Sequence, residues 1–216
     1  MSRDILIYGA GGAGRDLAFY LSLDKNPDTA WNIHGFIDDT EELQKQVLNG
    51  VPILGGFEYL LNFSGNIAVA IVDDPAVRRN LVLKLKKNSK VKFPVVISPN
   101  SIISSFIEWG EGCIISGAHN AISVDVKIGD YVFVAGRCGI GHDANIGEYT
   151  TIFAGITIGG GVSIGAECVI GSGATILPKI KIGVGSKIGA GAVVSKNIPP
   201  GVIAAGVPAK IMRKIK

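Results

Sequence analysis

Three histidines occur in this chain, and one of them, His142, stands where its chemistry could be used: in Gly141-His142-Asp143, between two short apolar segments. The ordinary pKa of histidine lets its neutral ring accept a proton near neutrality, so His142 is the candidate general base, with Asp143 as the acid beside it. Eighteen residues later comes Gly159-Gly160-Gly161. If the two turns are neighbours in space, at the roughly 4.8 Å of parallel strands, the bare Gly160 N–H lies next to the imidazole and can stabilise an oxyanion. A base and an oxyanion donor in one small space suit acyl transfer. A surface histidine above a glycine turn would leave the same sequence, so the choice rests on whether these turns stack. The other histidines compete less well: His34 begins an apolar segment, and His119 lies in an irregular stretch where a structural or interface role is expected.

Stacking is what the flanking sequence predicts. An aliphatic residue returns at every sixth position through thirteen repeats: Ile122, Ile128, Val134, Ile140, Ile146, Ile152, Ile158, Ile164, Ile170, Ile176, Ile182, Ile188 and Val194. Four residues after each sits a small or β-branched residue, such as Val126, Cys138, Ala144, Ile156 or Cys168. Positions i−2 and i therefore point inward, as on one face of a short strand. Glycine follows the aliphatic residue at 129, 141, 147, 159, 165, 171, 183 and 189, where the chain must turn a corner. Each hexad is one strand and one corner, and three hexads close a coil of eighteen residues, the hexapeptide signature of a parallel β-helix. Cys138 and Cys168 take inward positions and read as buried, inert thiols. Between 98 and 121 the frame is imperfect, and Ile102, Ile107, Ile114 and Ile115 read as irregular capping coils with Trp109 unplaced.

The N-terminal part is organised differently. Ile5–Tyr8 runs into Gly9-Ala10-Gly11-Gly12-Ala13-Gly14, followed by a helical pattern over Arg15–Leu23. Strand, glycine turn and helix together make the GxGxxG spacing meaningful, because glycines let backbone N–H groups approach a pyrophosphate at a helix N-terminus. A second strand, Ile33–Ile37, ends in Asp38-Asp39, about where such folds place a carboxylate for ribose hydroxyls; solvated strand-end acids are the plainer alternative. A third strand, Ile67–Val72, ends in Asp73-Asp74. Pro75 opens a helix over 77–87, and Phe93–Ile97 reads as a fourth strand. This is one mononucleotide-binding half of a doubly wound sheet, suited to a nucleoside diphosphate. The boundary is placed at Pro99-Asn100, giving an α/β half-Rossmann domain over 1–98 and a β-helix domain with a C-terminal tail over 99–216.

Composition agrees. The chain is 47% hydrophobic with thirty glycines and 7% aromatics, which suits stacked Ile and Val. A formal charge of +3 argues for neither nucleic acid nor a polybasic membrane surface. Apolar runs are interrupted well before the roughly eighteen residues of a membrane span, and the run after Met1 is strand-length and ends in glycines, so no signal peptide is read there. Three cysteines in no metal-ligand spacing favour a reducing compartment, the cytoplasm, and no metal is expected.

GHDANIGEYTTI at 141–152, the hexad run and GVPAK at 206–210, behind IYGAGGAGRD at 7–16 and FIDD at 36–39, together resemble the bacterial acetyl-CoA-dependent acetyltransferases of UDP-4-amino-sugars. These belong to the hexapeptide-repeat, left-handed β-helix acyltransferase superfamily. The likeness spans essentially the whole chain. It implies a homotrimer that binds the nucleotide sugar on the N-terminal domain and lays acetyl-CoA along the β-helix between subunits. It implies His142 as base, Asp143 as the acid beside it and Gly160 as the amide that holds the thioester carbonyl. Nucleotide contacts fall on Gly9, Gly11, Gly12, Gly14, Asp38 and Asp39. The family commonly has a second histidine near the acetyl group, nine residues after the base, where this chain has Thr151. Lys196, Lys210, Arg213 and Lys214 are candidates for the phosphates of coenzyme A, or a solvated basic tail. Two other readings share the layout: O-acetylation of sialic acid or another surface sugar, and a non-catalytic nucleotide-sugar-binding trimer.

Overall fold

The computed structural model describes residues 3–215. Strand β1 (Asp4–Tyr8) is buried from Ile5 to Tyr8 and forms the middle of a six-stranded sheet of order β3-β4-β2-β1-β5-β6. Its partners are β2 (Asn32–Ile37), β3 (Val47–Leu48), β4 (Val51–Gly55), β5 (Gly65–Val69) and β6 (Val91–Lys92). All pairings are parallel except the β3–β4 hairpin. Helix α1 (Gly12–Ser22) buries Leu17, Ala18 and Leu21, the spacing that a helix lying on a sheet requires. Helix α2 (Pro75–Leu85) begins as its sequence predicts: Pro75 sits in the first turn, and the Asp74 side chain caps it by accepting from the Ala76 N–H at 2.9 Å.

Two details depart from the sequence reading. The β3–β4 hairpin was not expected, although Asn49-Gly50, with φ of 52° and 82°, is the residue pair that two-residue hairpin turns favour. The expected strand over 93–97 is divided: Val91–Lys92 ends the N-terminal sheet, whereas β7 (Val96–Ile97) pairs with Ile114–Ile115 as the first strand of the β-helix. The β-helix therefore starts a few residues before Pro99, because Val96 already occupies an inward position.

From there three parallel ladders of eight, six and five strands run down the β-helix; the final strand of the longest pairs antiparallel. The register advances by eighteen residues per coil, as in Ala121↔Gly139, Gly139↔Thr157 and Thr157↔Thr175. Every aliphatic position of the hexad frame from Ile122 to Val194 lies in one continuous buried cluster with Cys138, Ala144, Ile156, Val162 and Cys168. The last strands, 202–205 and 210–214, form an antiparallel hairpin that closes the far end.

The N-terminal domain sits astride one face of this column. Phe133 and Ile114 pack with the core on the α1 side. Tyr131 and Tyr149, stacked at 5.2 Å between ring centroids, pack with the core on the α2 side. Trp109, unplaced by sequence, packs half-buried against the β-helix core.

Candidate active site

His142, Asp143 and Gly160 stand together on one corner column. The Gly161 N–H donates to the His142 carbonyl at 2.8 Å, and the Asp143 N–H to the Val124 carbonyl at 3.2 Å, so the corners of successive coils are locked in register. His142 Nδ1 is 2.7 Å from Asp143 Oδ2. With Nδ1–H held by the carboxylate, Nε2 is the ring atom left to accept a proton. That atom faces Gly160: a Cβ built there would meet Nε2 at 2.6 Å and Cε1 at 2.7 Å, so no other residue fits beneath the ring as it stands. The Gly159 and Gly161 N–H groups are committed to the carbonyls of Ile176 and His142, which leaves that of Gly160 as the open donor of this corner. His142 and Asp143 side chains are 65% and 64% exposed in the single chain. Above them on the same column lie two exposed apolar residues, Phe106 and Val124.

The glycine cradle is built by side-chain capture. Gly9 takes a φ of +102°, and a Cβ at Gly14 would sit 1.8 Å from the Gly9 carbonyl oxygen, so α1 can approach the end of β1 only with glycine there. Asp38 closes the loop, accepting from the Ala10 N–H at 2.7 Å and the Thr40 N–H at 3.0 Å. Burial works against the Asp38 charge, yet these two N–H groups outweigh it and hold the carboxyl below its usual range. Asp39 accepts from the Tyr8 hydroxyl at 2.6 Å and the Phe57 N–H at 2.7 Å. Burial first, and this carboxylate second, push the Tyr8 phenol up. Both acids are thus part of the cradle's framework as well as candidates for ribose contact. Gly11 caps α1 with no side-chain bond, and nothing lies within 4 Å of a Cβ placed on Gly11 or Gly12. The first N–H groups of the helix therefore face open space.

Beside the cradle a cleft of about 810 Å³ runs between α1 and the β-helix. Gly12, Ala13 and Asp16 line one wall, Phe133, Ala135 and Phe153 the other, with His119 and Arg137 also lining it. Sequence reasoning missed Arg137 and the two phenylalanines, because outward positions of the hexad carry no periodic signal. Neither His142 nor Gly160 lines this cleft; within one chain the cradle and the His142 corner are separate places. A wider groove of about 980 Å³ lies on the α2 side and includes Tyr8 and Asp39.

Thr151 differs from its expected role. It is fully buried, donating its hydroxyl to the Val72 carbonyl and accepting from Arg78 at the seam between the domains. An acetyl group cannot reach it there without displacing Arg78. Lys196, Lys210, Arg213 and Lys214 are all exposed. Lys196 lies three coils below His142 on the same corner column, and the other three belong to the terminal hairpin. The three cysteines are buried and unpaired; burial pushes the Cys113 and Cys168 thiols up to about 11. Among the described residues no group of three or more His, Cys, Asp or Glu could hold a metal ion, and no helix is long and apolar enough to cross a membrane.

Comparisons with known proteins agree with this architecture. Residues 4–85 match the model of the PglD N-terminal domain, and residues 143–178 that of the bacterial transferase hexapeptide. No curated protein sequence is significantly similar to the chain. Among solved structures, the perosamine N-acetyltransferase of Caulobacter crescentus, in complex with CoA and GDP-perosamine, is 27% identical at a TM-score of 0.87, covering 98% of this chain and 97% of that one. The acetyltransferase domain of PglB from Neisseria gonorrhoeae, in complex with acetyl coenzyme A, is 28% identical at 0.86, covering 98% and 100%. WeeI from Acinetobacter baumannii is 29% identical at 0.82, covering 96% and 99%. A glycine cradle on a half-Rossmann sheet, an unbroken hexapeptide column and full-length likeness to these enzymes place the chain among the hexapeptide-repeat acyltransferases with a PglD-type N-terminal domain, structural neighbours of the nucleotide-sugar N-acetyltransferases.

Proposed function

We propose that this protein transfers the acetyl group of acetyl-CoA to the amine of a nucleotide-linked amino-sugar, with His142 as general base. The observation that carries this reading is the His142 corner: Nδ1 tied to Asp143 at 2.7 Å and the ring lying against a position that only glycine fits. The amine nitrogen attacks the thioester carbonyl carbon, His142 Nε2 takes the amine proton, and the Gly160 N–H holds the oxyanion. Collapse breaks the carbon–sulfur bond, and the imidazolium returns its proton to the departing thiolate. The products are the amide and free coenzyme A, with no acyl-enzyme.

The donor arm would run down the corner column. Three coil spacings, about 14 Å in all, separate the His142 and Lys196 corners, so a thioester at the base would bring its phosphates near Lys196, with Lys210 and Arg213 beyond. The nucleotide diphosphate would lie on the open N–H groups of α1 beside Gly9, Gly11, Gly12 and Gly14, with Arg137 across the cleft to offset its charge. Because the cradle and the base are apart in one chain, the reaction needs a second copy to bring its His142 corner to this cleft. Exposed Phe106 and Val124 on that column suit such burial, and a homotrimer is the assembly we infer. Three unpaired thiols support a reducing, cytoplasmic setting.

The test is incubation with acetyl-CoA and a panel of UDP-, GDP- and CMP-linked sugars, following thiol release and the mass of the sugar product. Acetylation of an amino-sugar is expected. Acetyl gain only on hydroxyl sugars would move the activity to O-acetylation, and binding without turnover across the panel would leave a nucleotide-sugar-binding protein.

A further inference from the structure

Arg78 is the one arginine or lysine among the described residues whose side chain is buried, at 1% exposed. Its Nη1 donates to the Ile71 carbonyl at 2.7 Å and to Thr151 Oγ1 at 3.0 Å, and its Nη2 donates to the Tyr149 carbonyl. Thr151 passes the chain on, donating to the Val72 carbonyl at 3.0 Å. Nε finds no acceptor, and Arg78 takes part in none of the ion pairs of the described residues. Burial lowers the guanidinium to about 10. An apolar side chain of similar length would avoid both the orphaned Nε and the unpaired charge, so stability alone does not call for arginine here.

The guanidinium does what an apolar chain cannot: its rigid fork holds acceptors from both domains in a fixed relation. Ile71 and Val72 follow β5 and lie against the cradle, where a Cβ on Gly9 would meet Ile71 Cδ1 at 3.1 Å and the Ala70 carbonyl oxygen at 3.3 Å. Tyr149 and Thr151 belong to the coil that follows the His142 corner. Val72 lines the substrate cleft, and so does Phe153, two residues beyond Thr151. Resting on the transferase reading above, we propose that Arg78, acting with Thr151, is a positioning residue that sets the spacing between the glycine cradle and the β-helix wall, and with it the placement of the acceptor amine. Helix α2 makes this legible in retrospect, since Arg78 shares the buried face with Val82 and Leu85.

The experiment compares Arg78→Met, Thr151→Val, the double variant and Thr151→Ser. Arg78→Met should keep its fold and its acetyl-CoA Kd while kcat/KM for the nucleotide sugar falls about 10–100-fold, the scale of misplacing reacting groups. Thr151→Val, which removes only the bridging hydroxyl, should lose about 3–10-fold, and Thr151→Ser should restore it. The double variant should be no worse than Arg78→Met, because both act through one network. Wild-type kcat/KM in folded Arg78→Met, equal damage to acetyl-CoA binding, or losses that multiply in the double variant would each overturn the proposal. Should Arg78→Met not fold, the Thr151 pair decides it alone. If the wild-type protein acetylates no nucleotide sugar, the transferase reading fails, and amide exchange still judges the clamp. Faster exchange confined to 70–74 and 149–153 in Arg78→Met, or in Thr151→Val if that variant alone folds, supports it; unchanged exchange there defeats it.

Discussion

The β-helix and the N-terminal domain place their candidate site residues by opposite means. In the β-helix the base and the oxyanion donor meet because they are eighteen residues apart in an eighteen-residue coil; translation along the column brings Gly160 under His142, and ladder bonds such as Gly161 N–H to His142 carbonyl hold each corner. In the N-terminal domain nothing repeats. The cradle is shaped by individual captures, Asp38 on Ala10 and Thr40, Asp39 on Tyr8 and Phe57. A site made by repetition tolerates loss of its reactive side chains, since none of them supports the column. A site made by capture does not separate so cleanly, because its candidate contacts are also its framework.

That contrast can be broken most sharply at His142. His142→Ala should lower kcat by about 10²–10⁴-fold, the usual worth of a positioned base, with the melting temperature and assembly near wild type because the ring is exposed. Loss of the assembly along with activity, read by light scattering, would mean that the corner is structural. Inside the same coil the balance reverses. Ile158→Ala, two residues before the Gly160 corner and 2% exposed, should cost about 2–5 kcal/mol through lost burial and the cavity left behind, measured by denaturant unfolding.

Smaller and more mixed effects are expected in the cradle. Asp38→Asn should raise the nucleotide-sugar KM by about tenfold, in line with loss of a charge-assisted bond, leave the acetyl-CoA KM unchanged, and also lower stability slightly. A KM effect with no stability change would show that the carboxylate serves the ligand alone. The pH dependence follows from the same residue. Its carboxyl is held below the usual range when folded, so its contribution is present above the unfolded value of about 3.9 and is lost as pH falls through the folded one. Unfolding titrations between neutrality and acid should show a shallower decline for Asp38→Asn than for wild type. An identical decline would mean that the hydrogen bonds from Ala10 and Thr40 do not favour the charged form. Because the group is partly exposed, this is the smallest effect of the four.

The linear pattern by itself determined the column, its coil length and the stacking of Gly160 on His142, because a period of six is a local property that each hexad restates and no distant contact can shift. It also determined the strand, glycine turn and helix at the N-terminus, since turn and capping preferences act within a few residues. What only the tertiary structure decided lies where the two domains meet. Thr151 reads as a place for an acetyl contact and instead binds Arg78 at the seam, Asp38 and Asp39 read as ligand contacts and are first the staples of the loop, and the cleft walls at Phe133, Phe153 and Arg137 are outward positions with no pattern of their own. These outcomes depend on which surface of one domain is pressed against the other, a long-range packing choice that neither periodicity nor turn chemistry encodes.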